Sequence, residues 1–352
     1  MERSEGNILS HDFYDLCSVS DIDKLMIFIR TFRSEFPAQV ALLSLITALL
    51  WGHAFISPPP VNLLAATSSQ QFLLLPFASY PLLGVTVSSV LVIAQALIFN
   101  QFLISSDFIS RNTLFPAFLF ILFFSHAPSL LQVSAMTFIT PLMLIILTQM
   151  IRLSKKEGGY PIVFFSSILV IITSLIYPAA IFFIVFIWFS FAVNGIWTWR
   201  EWLLSILGPF VIGLYILTYG LWQGNLYEIV NGFKLVYEPP LTLDLIPSIP
   251  EIVIVIVALF IAVQSLRSGL VNRMEKVLSY RKNVWTFVWF TLIALAGSMF
   301  AGSLVREHLA LVTLPIIALS SSYLLTMKRR VTYEVLISLM LIMAILQNMA
   351  VL

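Results

Sequence analysis

The chain has 352 residues, of which 60% are hydrophobic and only 10% are charged, and its mean hydropathy is +0.99. Soluble domains carry about 25% charged residues, so this composition excludes a soluble globule and predicts a polytopic membrane protein. The net charge of +2 gives no reason to expect a nucleic-acid partner, and the single cysteine, Cys17, excludes a disulfide framework.

The first 36 residues form a polar, net acidic extension that we expect to lie in the cytoplasm. An apolar stripe with the i, i+3, i+4, i+7 spacing of a helix runs through its end: Leu25, Phe28, Ile29, Phe32 and Phe36. This pattern predicts an amphipathic helix on the membrane surface that leads into the first span. Residues 37–352 are predicted to form a single transmembrane helical domain.

Long apolar runs fill that domain. A helix needs about 20 apolar residues to cross ~30 Å of hydrocarbon, and in lipid every backbone group must be satisfied within its own segment. The runs therefore predict an all-α bundle with about eleven spans, some of them short and hairpin-like. The predicted spans are residues 37–56, 81–104, 112–125, 130–150, 160–176, 179–195, 202–222, 251–267, 284–302, 308–327 and 333–352.

The stretch 160–195 can be read as one long kinked helix or as a hairpin that turns at Tyr177-Pro178. With a hairpin, 17 of the 19 Lys and Arg residues share one side of the membrane, whereas a single helix would divide them nearly evenly. Cytoplasmic loops are enriched in Lys and Arg. We therefore predict the hairpin, with the N-terminus in the cytoplasm and the C-terminus outside.

Two further segments are predicted to lie along the membrane. Residues 223–250 form an outer loop with an apolar stripe followed by a proline-rich part, and residues 268–283 form an amphipathic segment on the cytoplasmic side. The outer loop 223–250 is the surface on which a protein partner would dock.

The short helices, 112–125 and the pair 160–176/179–195, reach only ~21–25 Å at ~1.5 Å per residue. Such helices either thin the membrane locally or are shielded inside the bundle. Shielding inside the bundle would leave a cavity beside them, which we expect to open outward.

A charged triplet, Arg306, Glu307 and His308, interrupts the apolar stretch 295–319. We expect it near the outer interface, in a turn of about six residues, with His126 and Tyr177 lining the same outward groove. An arginine there could hold a phosphate bidentately, with Glu307 or His308 as proton acceptor. Alternatively, Arg306 and Glu307 cap a helical hairpin and extend to the lipid headgroups.

Three stretches, residues 100–125, 173–222 and 306–325, resemble a family of uncharacterised bacterial inner-membrane proteins. The Trp-Arg-Glu-Trp sequence at residues 199–202 is the most specific part of the likeness, which covers residues 80 to 350 approximately. The resemblance implies a multi-pass architecture and a location in the bacterial inner membrane, but no catalytic residues. Some members of the family carry a beta-carotene monooxygenase label.

A carotene-cleaving oxygenase holds iron with several histidines, and His53, His126 and His308 are all predicted near the outer face. They are weak candidates for metal ligands, because no two share a helix at i, i+3 or i+4 spacing, and we predict no metal or other cofactor. A membrane glycosyltransferase acting on a lipid-linked sugar is a further alternative. Enzymes of that kind usually carry an acidic residue in the first outer loop, and residues 57–81 contain none.

No Asp, Glu, Lys or Arg falls at mid-depth of a predicted span, which disfavours ion-coupled transport. The leading hypothesis is a protein that handles a lipid or a lipid-linked envelope precursor in an outward-facing cavity, with Arg306 on its phosphate. The competing hypothesis is a non-catalytic membrane scaffold or assembly subunit. Membrane lipids are partners under both, and the sequence leaves open whether any reaction is catalysed.

Overall fold

Every secondary-structure element in the described part of the chain is a helix. The computed structural model describes residues 31–32, 36–61, 68–109, 112–154, 159–224, 226–227, 231, 248–271, 278–301, 305–327 and 331–349. The α-helices are α1 (Pro37–Leu50), α2 (Gly52–Ile56), α3 (Ser68–Ser79), α4 (Pro81–Ser105), α5 (Phe115–Phe124), α6 (Ala135–Ser154), α7 (Gly159–Ile176), α8 (Phe183–Asn194), α9 (Trp199–Gln223), α10 (Ile249–Val271), α11 (Leu278–Ser298), α12 (Val305–Thr326) and α13 (Val331–Met349). Two 3₁₀ turns cover Pro128–Leu130 and Pro178–Phe182.

Within these described ranges, seven helices are long and apolar enough to cross a membrane: α4, α6, α7, α9, α10, α12 and α13. Three apolar stretches are shorter: α1, α5 and Pro178–Asn194. The all-α prediction is confirmed, and the seven helices fit a multi-pass membrane protein. Each of the eleven predicted stretches contains a helix, whereas the number of crossings and the side of each terminus stay predictions.

The chain turns back between α7 and α8, as the sequence predicts. Between the two helices Tyr177 is extended, and the second 3₁₀ turn follows it. Both helices contact the same part of α9: Trp188 Nε1 donates to Ser205 Oγ at 3.0 Å, and Ser167 Oγ donates to the Leu204 carbonyl at 3.4 Å. A straight helix would place Ser167 and Trp188 about 30 Å apart, so α7 and α8 form a hairpin.

Helices α9 and α7 pack closely at Gly208. A Cβ at this position would lie 3.3 Å from both Ile168 N and Phe164 O, and closer still to Ser167 Oγ, whereas a Cβ at Gly213 would have nothing within 4 Å. We expect Gly208→Leu to lower the free energy of unfolding by about 1–3 kcal/mol through overpacking. The matched Gly213→Leu should cause little change in the same SDS unfolding titration in mixed micelles. Equal losses for the two variants would contradict close packing at Gly208.

Helix α5 is the central helix of the bundle. All ten of its residues are buried, and it packs against α4, α12 and α13. A helix that is apolar on every side belongs inside a bundle. At ~1.5 Å per residue it covers only ~15 Å, and its flanking residues Thr113 and Ser125 are buried as well. This short helix is therefore shielded by its neighbours, which is one of the two alternatives that its length allows.

Phe32 lies in the bundle core and not on the membrane surface where the sequence pattern placed it. Its ring stacks on Phe118 with the ring centroids 4.9 Å apart, and its carbonyl accepts hydrogen bonds from Thr113 Oγ1 at 2.6 Å and from Leu114 N–H at 2.9 Å. These contacts attach the chain before α1 to the start of α5. The part of the predicted surface helix before residue 31 lies outside the described residues.

Helix α3 was not predicted, because residues 57–81 read as a loop in the sequence. Gln70 Nε2 donates to the carbonyl of Ile176 at 2.9 Å, at the end of α7. The ring of Phe77 lies 6.2 Å from the ring of Phe138, in the first turn of α6. Helix α3 therefore lies across the end of α7 and the beginning of α6.

The two segments predicted to lie along the membrane are only partly described. Of the outer loop 223–250, most of the apolar stripe and the proline-rich part lie outside the described residues. In the predicted amphipathic segment 268–283, α10 continues to Val271 and α11 begins at Leu278. Both ends of this segment are thus extensions of long helices.

Candidate functional site

The charged triplet lies in the first turn of α12. This helix begins at Val305, three residues before the predicted start of the span. An acidic side chain in the first turn interacts favourably with the free N–H groups of a helix start, and Glu307 occupies that turn. The triplet is therefore part of the helix, and the predicted turn must end before it. The side chain of Arg306 lies outside the described part of the chain, so its contact with a phosphate stays a prediction.

His308 and Tyr177 form a buried hydrogen-bonded pair. The Tyr177 hydroxyl lies 2.8 Å from His308 Nδ1, and His308 Nε2 lies 2.7 Å from the carbonyl oxygen of Ala294 in α11. A carbonyl oxygen can only accept, so Nε2 carries the proton, and in the neutral imidazole Nδ1 accepts from the Tyr177 hydroxyl. Relative exposure is 0% for His308 and 2% for Tyr177. The pair therefore joins the end of α7 to α11 and α12 in a packed interior, and neither side chain faces an open groove.

Gly297, one turn after Ala294, lets α11 approach the imidazole. A Cβ at Gly297 would lie 3.4 Å from both Cε1 and Nε2 of His308. Nε2 donates the hydrogen bond to the Ala294 carbonyl, and Cε1 is a ring carbon bonded to Nε2. The small residues Ala294 and Gly297 thus allow the backbone of α11 to come within hydrogen-bonding distance of the imidazole.

Glu307 adds a buried carboxyl group to this end of the bundle. Its side chain is 7% exposed, and it lies close enough to act electrostatically on the Tyr177 phenol. Burial of a charged carboxylate is costly unless nearby groups compensate it, and the start of α12 supplies part of that compensation. Tyr177, Glu307 and His308 therefore lie together at this end of the bundle and are buried, and their part in binding a ligand stays a prediction.

His126 lies in the turn after α5. Its Nδ1 donates to the carbonyl of Phe123 at 2.6 Å. Desolvation of the partly buried ring lowers the pKa of His126 below its usual value of 6.5, while the bond to Phe123 and the carboxylate of Glu251 oppose this shift. The place of His126 in the predicted outer-face site stays a prediction.

A metal centre built on His53, His126 and His308 finds no support in the geometry. In the described ranges, no group of three or more His, Cys, Asp or Glu side chains could hold a metal ion. His53 Nε2 instead lies 3.2 Å from the Ser57 hydroxyl, at an exposed position. Both ring nitrogens of His308 are used in hydrogen bonds, which leaves no lone pair for a metal in this conformation.

Sequence reasoning missed three contributors to the site: the Ala294 carbonyl, Gly297 and Gln70. A backbone carbonyl carries no signature in the sequence, and a glycine in an apolar helix gives no sign of what it approaches. Gln70 donates to the carbonyl just before Tyr177, from a helix that was read as loop. Gln70 lies in the polar start of α3, before the apolar run that begins at Phe72, so its position gave no signal.

Together the helices and this buried polar cluster define an all-helical, multi-pass class of membrane protein. Comparison with protein-family models, with curated proteins and with solved structures finds no match. The resemblance to uncharacterised inner-membrane proteins therefore stays a prediction.

Proposed function

We propose that the protein handles a lipid or a lipid-linked envelope precursor in the bacterial inner membrane, at the end of the bundle where α7 ends and α12 begins. The observation that carries the proposal is the cluster of Tyr177, Glu307 and His308 beside Arg306, at the first turn of a membrane-span helix. Arg306 contacts the phosphate of the ligand. A helix start and a guanidinium both favour an anion at this position.

The buried pair supports this assignment by fixing the position of α12. His308 uses both ring nitrogens in hydrogen bonds and is therefore a positioning residue. Glu307 is then the carboxylate of the triplet that would accept a proton from the ligand. Tyr177, at the turn of the α7–α8 hairpin, connects this hairpin to α12 through its hydrogen bond to His308.

Native mass spectrometry of the detergent-purified protein tests the proposal. We expect a phosphate-bearing lipid to leave with the wild type and with Arg281→Ala, which removes an exposed arginine at the start of α11. Arg306→Ala should lose this species, because the guanidinium that holds the phosphate is gone. Retention of the same lipid by Arg306→Ala in equal amount would contradict the proposed contact.

A scaffold or assembly subunit is the second candidate, and helix α9 favours it. Eleven large apolar side chains on this helix are exposed: Trp199, Leu203, Ile206, Leu207, Phe210, Leu214, Tyr215, Leu217, Tyr219, Leu221 and Trp222. This flank fits a partner polypeptide as well as lipid. A polypeptide that leaves with the protein in the same spectra, and is lost when residues 223–250 are changed, would favour the scaffold.

A further inference from the structure

Helix α3 has a buried face and an exposed, mainly apolar face that point in opposite directions. Gln70 and Leu74 are buried against the bundle, whereas Phe72 is 82% and Leu75 is 60% exposed. With 3.6 residues per turn, Phe72 lies about 200° around the helix from Gln70. The helix has no acidic or basic side chain in its sequence, SSQQFLLLPFAS.

The exposed face of α3 joins the exposed face of a membrane-span helix. Tyr80, which is 70% exposed, connects α3 to α4, and α4 exposes Leu83, Val90 and Ile98 along one side. In a helix that crosses a bilayer, such a side faces acyl chains. Only Tyr80 separates α3 from α4 in the chain, so we expect the exposed apolar side chains of α3 to meet the same lipid.

We propose that α3 is an interfacial helix whose Phe72 and Leu75 face inserts into the lipid leaflet at the Tyr177 end of the bundle. Its contacts with the ends of two membrane-span helices set its depth in the membrane. Helix α3 contacts Phe138 in the first turn of α6 and Ile176, the last residue of α7. A helix at this level lies at the boundary between headgroups and acyl chains, where aromatic and aliphatic side chains insert. The occupant of this face is lipid, and neither a second copy of the chain nor a partner protein is needed.

The hydrogen bond from Gln70 connects the proposed lipid-facing helix α3 to the end of α7. It joins the buried face of α3 to the carbonyl of Ile176, which precedes Tyr177. The membrane surface is thereby connected to the turn that holds the Tyr177–His308 pair. The lipid contact itself is independent of the ligand proposed above, so either proposal can fail alone.

Single-cysteine labelling tests the lipid contact. Cys17→Ser removes the one native thiol, and Phe72→Cys or Arg281→Cys then carries an NBD label on the full chain in phosphatidylcholine nanodiscs, where quenchers reach both faces. We expect lipid with a shallow doxyl group to quench position 72 about threefold more than position 281, and aqueous iodide to show the reverse order. The position 72 label should also emit at shorter wavelength.

Two outcomes would overturn the proposal. If iodide quenches positions 72 and 281 equally, α3 lies in water. If both agents quench position 72 weakly, and the unlabelled Phe72→Cys variant forms disulfide cross-links between copies, another protein chain covers the face. Leu75→Cys provides a second reporter on the same face if the Phe72 variant folds poorly, and must give the same order of quenching.

Discussion

Replacing His308 by phenylalanine is expected to lower the free energy of unfolding by about 2–6 kcal/mol. The phenyl ring is aromatic and similar in size, but it has no polar atom and leaves the Ala294 carbonyl and the Tyr177 hydroxyl buried without partners, at about 1–3 kcal/mol each. Tyr177→Phe removes one hydrogen bond only and should cost about 1–3 kcal/mol. Unfolding by SDS in mixed micelles measures both values.

The double variant distinguishes a coupled pair from two independent effects. Once His308 is phenylalanine, the Tyr177 hydroxyl has already lost its partner, so Tyr177→Phe should cost less in that background than in the wild type. Tyr215→Phe is the control, because Tyr215 is 73% exposed on α9. Strictly additive losses would show that the Tyr177–His308 hydrogen bond contributes little to stability.

Helix positions and the hairpin at Tyr177-Pro178 were predictable, because apolar length and the distribution of basic residues depend on local sequence and membrane physics. The pairing of Tyr177 with His308 was not, since they are 131 residues apart. Apolar runs predict that helices form but not which helices are neighbours. The sequence predicted both residues as lining of an open groove. It could not show that they are buried, because a polar residue at a helix end gives no sign of its burial.

Helix α3 and residue Phe32 show two further limits of the sequence. Helix α3 has 12 residues and Pro76 in its interior, so it is too short for a span and contains a residue that usually marks a break. Phe32 fits an amphipathic stripe, but its ring fills a place against Phe118 that only the folded bundle creates. In both cases tertiary contacts decide the outcome.

Asn348 has a structural role that its place in an apolar stretch concealed. Its Nδ2 donates to the carbonyl of Leu50 at 3.1 Å and to the carbonyl of Ser125 at 2.9 Å. These carbonyls lie at the ends of α1 and α5, where a helix leaves carbonyls without intrahelical partners. Trp51 Nε1 donates to Ser125 Oγ at 2.8 Å beside them. One buried amide therefore connects α13 to two other helices.

Replacing Asn348 by aspartate is expected to be among the most destabilising substitutions in the chain. The side chain keeps its shape, but a carboxylate oxygen replaces the donor nitrogen and faces two carbonyl oxygens, at a cost of about 2–5 kcal/mol. Asn348→Leu loses the same two hydrogen bonds without adding charge, and should cost less. Met349→Ala is the matched control on the same helix, because Met349 is 60% exposed, and it should change stability little.

Thermal unfolding in detergent gives the order of stability, and hydrogen exchange shows where the structure loosens. With Asn348→Asp, faster exchange should appear in α13 and at the ends of α1 and α5, before it appears in α7 or α9, because the first three helices lose a hydrogen bond directly. If the aspartate variant matched the wild type in both measurements, Asn348 would not connect these helix ends.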